Sequence, residues 1–273
     1  MKDYLLELAA SKEGLSSKLN IMREYLQAYI LKILHAEGWF RHTAFVGGTA
    51  LRFLYRIPRF SEDLDFSAVQ KPKQSFESTI TKIKSELISA GYEIAVVYSD
   101  RNVVCYAMIK FPKLMHEAGL SPFREQTLSI KLEVDTRPPQ GAVLETQVVN
   151  LHFPIAFLSY DKASLFAGKC HALLSRKYTK GRDFFDLGWY LSKWRDITPN
   201  FKLLKNALKQ TTWKGEIPTD ENWRSLISQT VQKTDWVLVT KDVQNFLESP
   251  GDLEVFTKPN VLKLIESAEH STT

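Results

Sequence analysis

Two aspartates that alternate with apolar residues are the side chains of this 273-residue chain best suited to metal chemistry. In Asp63-Leu64-Asp65-Phe66, the alternation of a β-strand puts both carboxylates on one face and both apolar side chains on the other. Two neighbouring carboxylates repel each other unless solvent or a cation neutralises them, and hard divalent cations take oxygen ligands. The pair therefore predicts a divalent-cation site.

A pair of glycines, Gly47 and Gly48, precedes the aspartates. The apolar run at residues 43–46 predicts a strand, and residues 49–55 predict a short helix that ends before Pro58. Glycines at such a junction let the backbone approach a phosphate group, and the helix N-terminus offers unpaired N–H groups. Such a turn is often purely conformational, but with the aspartates after it, it predicts a turn that holds a triphosphate beside carboxylates that hold metal ions.

A third carboxylate is expected on a neighbouring strand. Alternation from Ser129 to Asp135 puts Lys131, Glu133 and Asp135 on one face of a predicted strand. Either Glu133 or Asp135 could complete the metal site, and a charged edge that faces solvent is the alternative interpretation.

The elements that must position these residues are mixed in type up to about residue 155 and helical beyond it. Apolar spacing predicts helices over residues 16–37 and 74–90, and β-rich runs predict strands over residues 92–98, 103–111, 127–135 and 146–153. From residue 161 on, the spacing predicts helices over residues 161–174, 181–194, 201–209, 221–232, 241–248 and 259–269. We therefore expect an α+β fold with a domain boundary near residue 160.

Three motifs in this order resemble the AbiEii/AbiGii-type nucleotidyltransferase toxins, a family of the DNA polymerase beta nucleotidyltransferase superfamily. They are Gly47-Gly48-Thr49-Ala50-Leu51, Arg59-Phe60-Ser61-Glu62-Asp63-Leu64-Asp65-Phe66 and Arg182-Asp183-Phe184-Phe185-Asp186-Leu187. The resemblance spans about residues 43–192. It implies a catalytic domain at residues 1–160 with a mixed sheet flanked by helices, and a mainly helical domain at residues 161–273 that contributes nucleotide-phosphate and RNA contacts.

The resemblance also implies roles for single residues. It places the nucleotide on Gly47, Gly48, Thr49, Ser61, Lys169 and Arg182. It places the metal ions on Asp63, Asp65 and either Glu133 or Asp135. Lys169 corresponds to a lysine that follows Ala-Asp in the family pattern, although Gly168 replaces the acidic residue here.

One aspartate of the third motif is implied to orient Lys169 or to act as a base on the incoming hydroxyl. Asp186 is favoured over Asp183 for this role. Because residues three or four apart meet on one helix face, Arg182, Asp183 and Asp186 are neighbours on a helix. An ion pair on the helix surface that anchors the two domains is therefore the alternative interpretation.

The activity implied is transfer of NMP from an NTP to an acceptor hydroxyl, with release of pyrophosphate. Mg²⁺ at a two-metal site is the implied cofactor, with Mn²⁺ as a substitute. The implied acceptor is an RNA such as tRNA, and the implied partner is a cognate antitoxin. A small-molecule nucleotidyltransferase of the antibiotic-modifying kind and a catalytically silent NTP- or RNA-binding module remain the alternatives.

Composition and charge agree with a folded cytoplasmic protein. With 44% hydrophobic and 25% charged residues, disordered and fibrous classes are excluded. No apolar run approaches the roughly 20 residues of a membrane span. Two isolated cysteines predict reduced thiols rather than a disulfide framework. The net charge is +5, but residues 161–214 carry twelve Lys or Arg against four Asp, which favours a surface for polyphosphate or nucleic acid over a solvated basic helix face.

Overall fold

The structure, a computed structural model, describes residues 1–70 and 74–267 and consists of two compact units. The first, the sheet unit, comprises residues 1–56, 60–138 and 144–159. The second, the helical unit, comprises residues 57–59, 139–143 and the chain from residue 160 onward. The chain therefore leaves the sheet unit and returns to it twice before residue 160.

A seven-stranded mixed sheet forms the sheet unit. Its strands are β1 (Thr43–Val46), β2 (Leu64–Ala68), β3 (Ala95–Ser99), β4 (Val104–Phe111), β5 (Leu128–Asp135), β6 (Leu144–Asn150) and β7 (Pro154–Tyr160). They lie in the order β3-β4-β5-β2-β1-β7-β6. Strand β2 pairs antiparallel with β1 and parallel with β5, and β3, β4 and β5 form an antiparallel meander. The predicted α+β fold with a mixed sheet is confirmed.

The sheet unit also contains helices, which lie before and between its strands along the chain. They are α1 (Lys2–Ala10), α2 (Leu15–Ala36), α3 (Gly47–Tyr55), α4 (Phe76–Ser89) and α5 (Leu114–Glu117), with a 3₁₀ turn at Trp39–Arg41. The long helix α2 contacts α1, α4 and β5. Ser75 caps α4, because its hydroxyl accepts a hydrogen bond of 3.1 Å from the Ser78 N–H.

An aromatic cluster holds the central strands together. The Phe45 ring lies 5.2 Å from the Phe157 ring and 5.5 Å from the Phe66 ring, between ring centres. Phe53 of α3 packs edge-on against both Phe45 and Phe157. All four rings are buried, so apolar burial and aromatic packing fix α3 against strands β1, β2 and β7.

The helical unit consists of α6 (Lys162–Ser175), α7 (Gly181–Lys193), α8 (Phe201–Gln210), α9 (Trp223–Lys233), α10 (Trp236–Val243), α11 (Asp252–Val255) and α12 (Lys258–Ser267). Asp161 caps α6, since its carboxylate accepts a hydrogen bond of 2.8 Å from the Ser164 N–H. In the core of the unit, Phe166 stacks on Tyr190 at 4.7 Å and meets Trp223 edge-on at 5.6 Å.

Several features differ from the predicted elements. Strand β7 lies at Pro154–Tyr160, where no strand was predicted, and helices α1, α5 and α11 were not predicted. The helix expected over residues 241–248 is α10, which begins earlier because the Asp235 carboxylate caps it by accepting from the Val237 N–H at 2.9 Å. The last two residues of the helix expected over residues 259–269 lie outside the described residues.

Two further expectations concern the cysteines and the membrane. Cys105 and Cys170 are both free and buried, as predicted. Within residues 1–70 and 74–267, no helix combines the length and the apolar character needed to cross a bilayer.

Candidate active site

The register of two parallel strands places Asp65 beside Glu133. Strands β2 and β5 align Asp65 with Glu133 and Ser67 with Asp135. The apolar neighbours Leu64 and Phe66 are buried, while Asp65 and Glu133 remain half-buried on the opposite face, as predicted. Adjacent strands are about 4.8 Å apart, so of the two acids left open by the sequence, Glu133 is the neighbour of Asp65.

Gly47 brings the backbone against the Asp65 carboxylate. Its φ of +80° lies in the left-handed region, and a Cβ at this position would overlap Oδ2 of Asp65. The contact follows from the register of β1 and β2, which pairs Val46 with Asp65. Because helix α3 begins at Gly47, its N-terminus starts beside this carboxylate. Only glycine fits here.

Hydrogen bonds fix the segment that carries Ser61 and Asp63. The Thr49 hydroxyl donates to the carbonyl oxygen of Asp63, and Thr49 is completely buried. The Gln27 amide donates to the carbonyl oxygens of Ser61 and Glu62 at 3.1 and 2.9 Å. Thr49, which the resemblance places on the nucleotide, thus ties α3 to the peptide of Asp63 through its side chain.

Lys131 provides a positive charge among these carboxylates. Its ammonium group lies 2.7 Å from a Glu133 carboxylate oxygen. The hydrogen bond to Glu133 raises the pKa of Lys131, and the charges of Asp63 and Asp65 add to this against the opposing effect of burial. Sequence reasoning placed Lys131 on this face without giving it a role.

The carboxylates near Gly47 suit a divalent cation that substrate phosphates also bind. Within the described residues 1–70 and 74–267, no three Asp, Glu, His or Cys side chains form a group that could hold a metal ion alone. Mg²⁺, however, commonly binds through one or two carboxylates together with substrate phosphates rather than in an all-protein cage. The adjacent Asp65 and Glu133 carboxylates, with Asp63 two residues before Asp65, have the hard oxygen donors that such shared coordination requires.

A buried charged cluster contacts helix α3 through Arg52. This cluster was not predicted from the sequence. The Glu24 carboxylate of α2 binds the Arg52 guanidinium of α3 and lies 3.2 Å from Nε2 of His152. Burial favours protonation of Glu24, but the hydrogen bond with His152 and the Arg52 charge outweigh it and hold its pKa below the usual range. Arg52 shares the inner face of α3 with Thr49, three residues earlier, which is the one signal the sequence contains.

The helical unit brings together Lys169, Asp183 and Asp186. The Lys169 ammonium lies 2.6 Å from Asp186 and 3.1 Å from Asp183. Arg59 adds two hydrogen bonds of 2.6 Å to the two carboxylate oxygens of Asp186. Arg59 and Asp186 are 1% and 0% exposed and Asp183 is 3% exposed, so these ion pairs are buried rather than on the helix surface. We call these four residues the buried ion network.

Mutual attraction keeps the charges of this network in place. Burial opposes the charged form of Lys169, but Asp186 and Asp183 raise its pKa above the usual range. Burial likewise favours protonation of Asp183, yet the charges of Lys169 and Arg176 lower its pKa. Lys169 is therefore a protonated cation whose ammonium group is bound by two carboxylates.

Arg182, which the resemblance places on the nucleotide, contacts Asp242 and Phe246 within the helical unit. Its backbone N–H donates to Asp242 at 3.1 Å, and its guanidinium lies 4.1 Å from the centre of the Phe246 ring. The guanidinium Nε is also 3.6 Å from the same Asp242 carboxylate. Arg182 thus joins α7 to α10 and the turn after it.

A family model and solved structures both relate this chain to nucleotidyltransferases. The family model described as nucleotidyl transferase AbiEii toxin, type IV TA system, matches residues 29–258. A crystal structure of a nucleotidyltransferase candidate from Helicobacter pylori superposes with a TM-score of 0.59 at 19% identity, over 91% of this chain and 94% of the other. The crystal structure of JHP933 from Helicobacter pylori superposes with a TM-score of 0.53 at 19% identity, over 90% of both chains. A comparison with curated proteins gives no match.

Proposed function

Because the chain belongs to the AbiEii family of nucleotidyl transferase toxins from type IV toxin–antitoxin systems, we propose that it transfers NMP from an NTP to an RNA hydroxyl in the presence of Mg²⁺. The acceptor oxygen bonds to the α-phosphorus, the bond from that phosphorus to the oxygen bridging to the β-phosphate breaks, and pyrophosphate leaves. The hydroxyl proton passes to a base. The observation that carries the proposal is the contact of the Gly47 turn with Asp65 beside Glu133.

Asp63, Asp65 and Glu133 are the proposed metal ligands. A bound divalent cation would neutralise triphosphate charge and stabilise the charge that develops on the phosphoryl oxygens. The chain contributes closely spaced carboxylates, with Lys131 as their counter-charge. The backbone at Gly47 and Gly48, at the N-terminus of α3, is the proposed phosphate cradle.

Lys169 and its two aspartates are the proposed contribution of the helical unit. The resemblance gives Lys169 to the triphosphate and one aspartate to the orientation of that lysine or to the acceptor proton. The ion pairs of Lys169 with Asp183 and Asp186 support an orienting role for the aspartates. We expect Lys169→Met to reduce transfer.

An RNA acceptor is supported by charge. The segment 161–214 has a net charge of +8 from twelve cations and four aspartates, against +5 for the whole chain. Polyanionic substrates bind such surfaces through their phosphates. As a toxin of this family, the protein would act with a cognate antitoxin.

The test is transfer of labelled NMP to total RNA with Mg²⁺ or Mn²⁺. Asp63→Asn, Asp65→Asn and Glu133→Gln should abolish labelling, whereas Asp100→Asn, in an exposed loop, should label RNA like the wild type. Asp135→Asn decides between the two β5 acids, and we expect it to retain activity.

Absence of labelling with every NTP, or labelling that survives Asp65→Asn, would contradict the proposal. Transfer to a small hydroxyl compound but not to RNA would identify the antibiotic-modifying class instead. Growth inhibition undiminished by the combined Asp63 and Asp65 changes would identify a silent binding module.

A further inference from the structure

A small cavity in the helical unit is lined by cations and hydroxyl groups. It has a volume of about 140 Å³ and lies between the end of α6, the segment that joins α6 to α7, and α9. Its polar lining consists mainly of Arg176, Lys177, Thr179, Lys180, Thr230 and Thr234. We call it the cationic cavity. Liquid water takes about 30 Å³ per molecule, so the space equals four to five waters and matches one phosphate group better than a nucleobase with its sugar.

Cations outnumber acids among the residues that line this cavity. Asp183 is the only acid among the lining residues, and its Oδ1 accepts from Lys169 of the buried ion network at 3.1 Å. Its Oδ2 lies 3.4 Å from Arg176 and accepts no hydrogen bond. One carboxylate, already bound by a lysine outside the cavity, thus faces three cationic side chains.

Lys180 is the cation that most needs an anion. It is half-buried, and burial together with the charges of Arg182 and Arg176 lowers its pKa against the smaller opposing effect of the Asp183 charge. In the part of the chain that the structure describes, no acidic side chain forms an ion pair with Lys180. An ammonium group crowded by guanidinium groups is destabilised unless a negative charge joins it.

The remaining walls exclude a competing protein anion. The Thr230 and Thr234 hydroxyls donate to the carbonyl oxygens of Leu226 and Thr230 within and at the end of α9. They therefore form a neutral wall. The Lys180 side chain does not cap α7, so it remains available to the cavity although Lys180 stands at the N-terminus of that helix.

We propose that the cationic cavity binds a phosphate group through Lys180, Arg176 and Lys177. The carrier of the phosphate is the NTP or the RNA backbone, and only this choice of carrier rests on the proposed function. The cations of the segment between α6 and α7 contact the phosphate in addition to Lys169, whose ammonium group is bound by Asp183 and Asp186.

The test compares two double variants that remove equal charge. Lys177→Gln/Lys180→Gln removes two cations of the cavity, and Lys205→Gln/Lys209→Gln removes two exposed cations of α8 in the same basic segment. Calorimetry measures the Kd of each full-length variant for ATP, GTP, CTP, UTP and a short RNA at several salt concentrations. A thermal unfolding scan with and without inorganic phosphate is the third arm.

We expect the cavity variant to lose about ten- to a hundredfold in affinity for one carrier, since hydrogen bonds to charged groups contribute about 1.5–3 kcal/mol. The α8 variant should match the wild type for NTP, and for RNA it should lose less than the cavity variant. Loss of NTP binding identifies the triphosphate as carrier, and loss of RNA binding with a smaller salt dependence identifies the backbone. Inorganic phosphate should raise the unfolding temperature of the wild type and not that of the cavity variant.

Equal affinities of the two double variants for every ligand would overturn the proposal, as would a wild type that none of the three ligands binds or stabilises. Arg176→Gln serves as a second variant if the double variant unfolds at a lower temperature than the wild type. Binding is also measured in an Asp63→Asn/Asp65→Asn background, where no transfer is expected. If the proposed transfer activity is absent, the binding measurements therefore still test the phosphate site.

Discussion

Replacing Asp186 with asparagine should unfold the helical unit more readily than any other single change in the buried ion network. Asp186 is fully buried and accepts two hydrogen bonds of 2.6 Å from Arg59 and one ion pair of 2.6 Å from Lys169. Its replacement leaves two buried cations, one of them still paired with Asp183. Breaking a buried ion pair by removing one partner costs about 3–5 kcal/mol, and Asp186→Asn breaks the pairs with Arg59 and Lys169 at once, which places it near 5 kcal/mol.

Arg59→Gln should cost less, about 3 kcal/mol, because Asp186 keeps its ion pair with Lys169. The order of the two variants follows from the number of charges left without a partner. Since whole domains are stable by only about 5–15 kcal/mol, either change removes a large share of the free energy of unfolding.

Tryptophan fluorescence in a denaturant titration measures this effect in the right part of the molecule. Five of the six tryptophans, all except Trp39, lie beyond residue 160. A chain with two units is not assumed to unfold in one step, so far-ultraviolet circular dichroism, to which the helices of both units contribute, is recorded in parallel. Asp196→Asn, which removes an exposed carboxylate of the helical unit, is the control. Equal denaturation midpoints for Asp186→Asn and Asp196→Asn, or a larger loss for Arg59→Gln, would refute the reasoning.

Three further predictions concern other parts of the molecule. Gly47→Ala and Gly14→Ala both place alanine at a left-handed φ, at a cost of about 1–2 kcal/mol, but only Gly47→Ala should abolish NMP transfer, because no atom lies within 4 Å of a Cβ at Gly14; equal activity of both variants would contradict this. Because the pKa of Asp183 is lowered in the folded state, its ionised carboxylate stabilises the fold above the unfolded pKa of about 3.9, and this stabilisation is lost as the pH falls through the folded pKa. Asp183→Asn should therefore flatten the acid side of a stability profile measured from pH 6 to pH 2. An unchanged slope would count against this prediction. Glu24→Gln breaks the buried ion pair with Arg52 and should lower the free energy of unfolding by about 3–5 kcal/mol, measured by circular dichroism, whereas Glu93→Gln, in an exposed ion pair, should change the midpoint little.

The elements found from the sequence are those whose signals are local. Helix α2 has a continuous apolar face, and α6 has its cap residue directly before it. Strand β7 was missed because residues 155–158 are all apolar, so the alternating burial of the strand is not accompanied by alternating polarity in the sequence.

The candidate site was likewise predicted where its signals are local and left open where it depends on contacts between distant residues. The types and spacing of the glycines and aspartates predicted the family, which the match over residues 29–258 confirms. The contact of Gly47 with Asp65 and the neighbourhood of Glu133 depend on strand register, which the sequence left open. The partners of Glu24 lie on other elements, and one of them, His152, is 128 residues away, so no pattern along α2 could reveal the cluster.

The passage of residues 57–59 through the helical unit has a practical consequence for dissecting this toxin. A fragment that starts at residue 160 would contain Asp186 and Lys169 but not Arg59, and it would also lack residues 139–143. No single cut yields both units intact, so inactivity of either fragment would report a missing piece of core rather than the location of the activity. Functional mapping requires point variants in the full chain or a circular permutant that keeps both crossings.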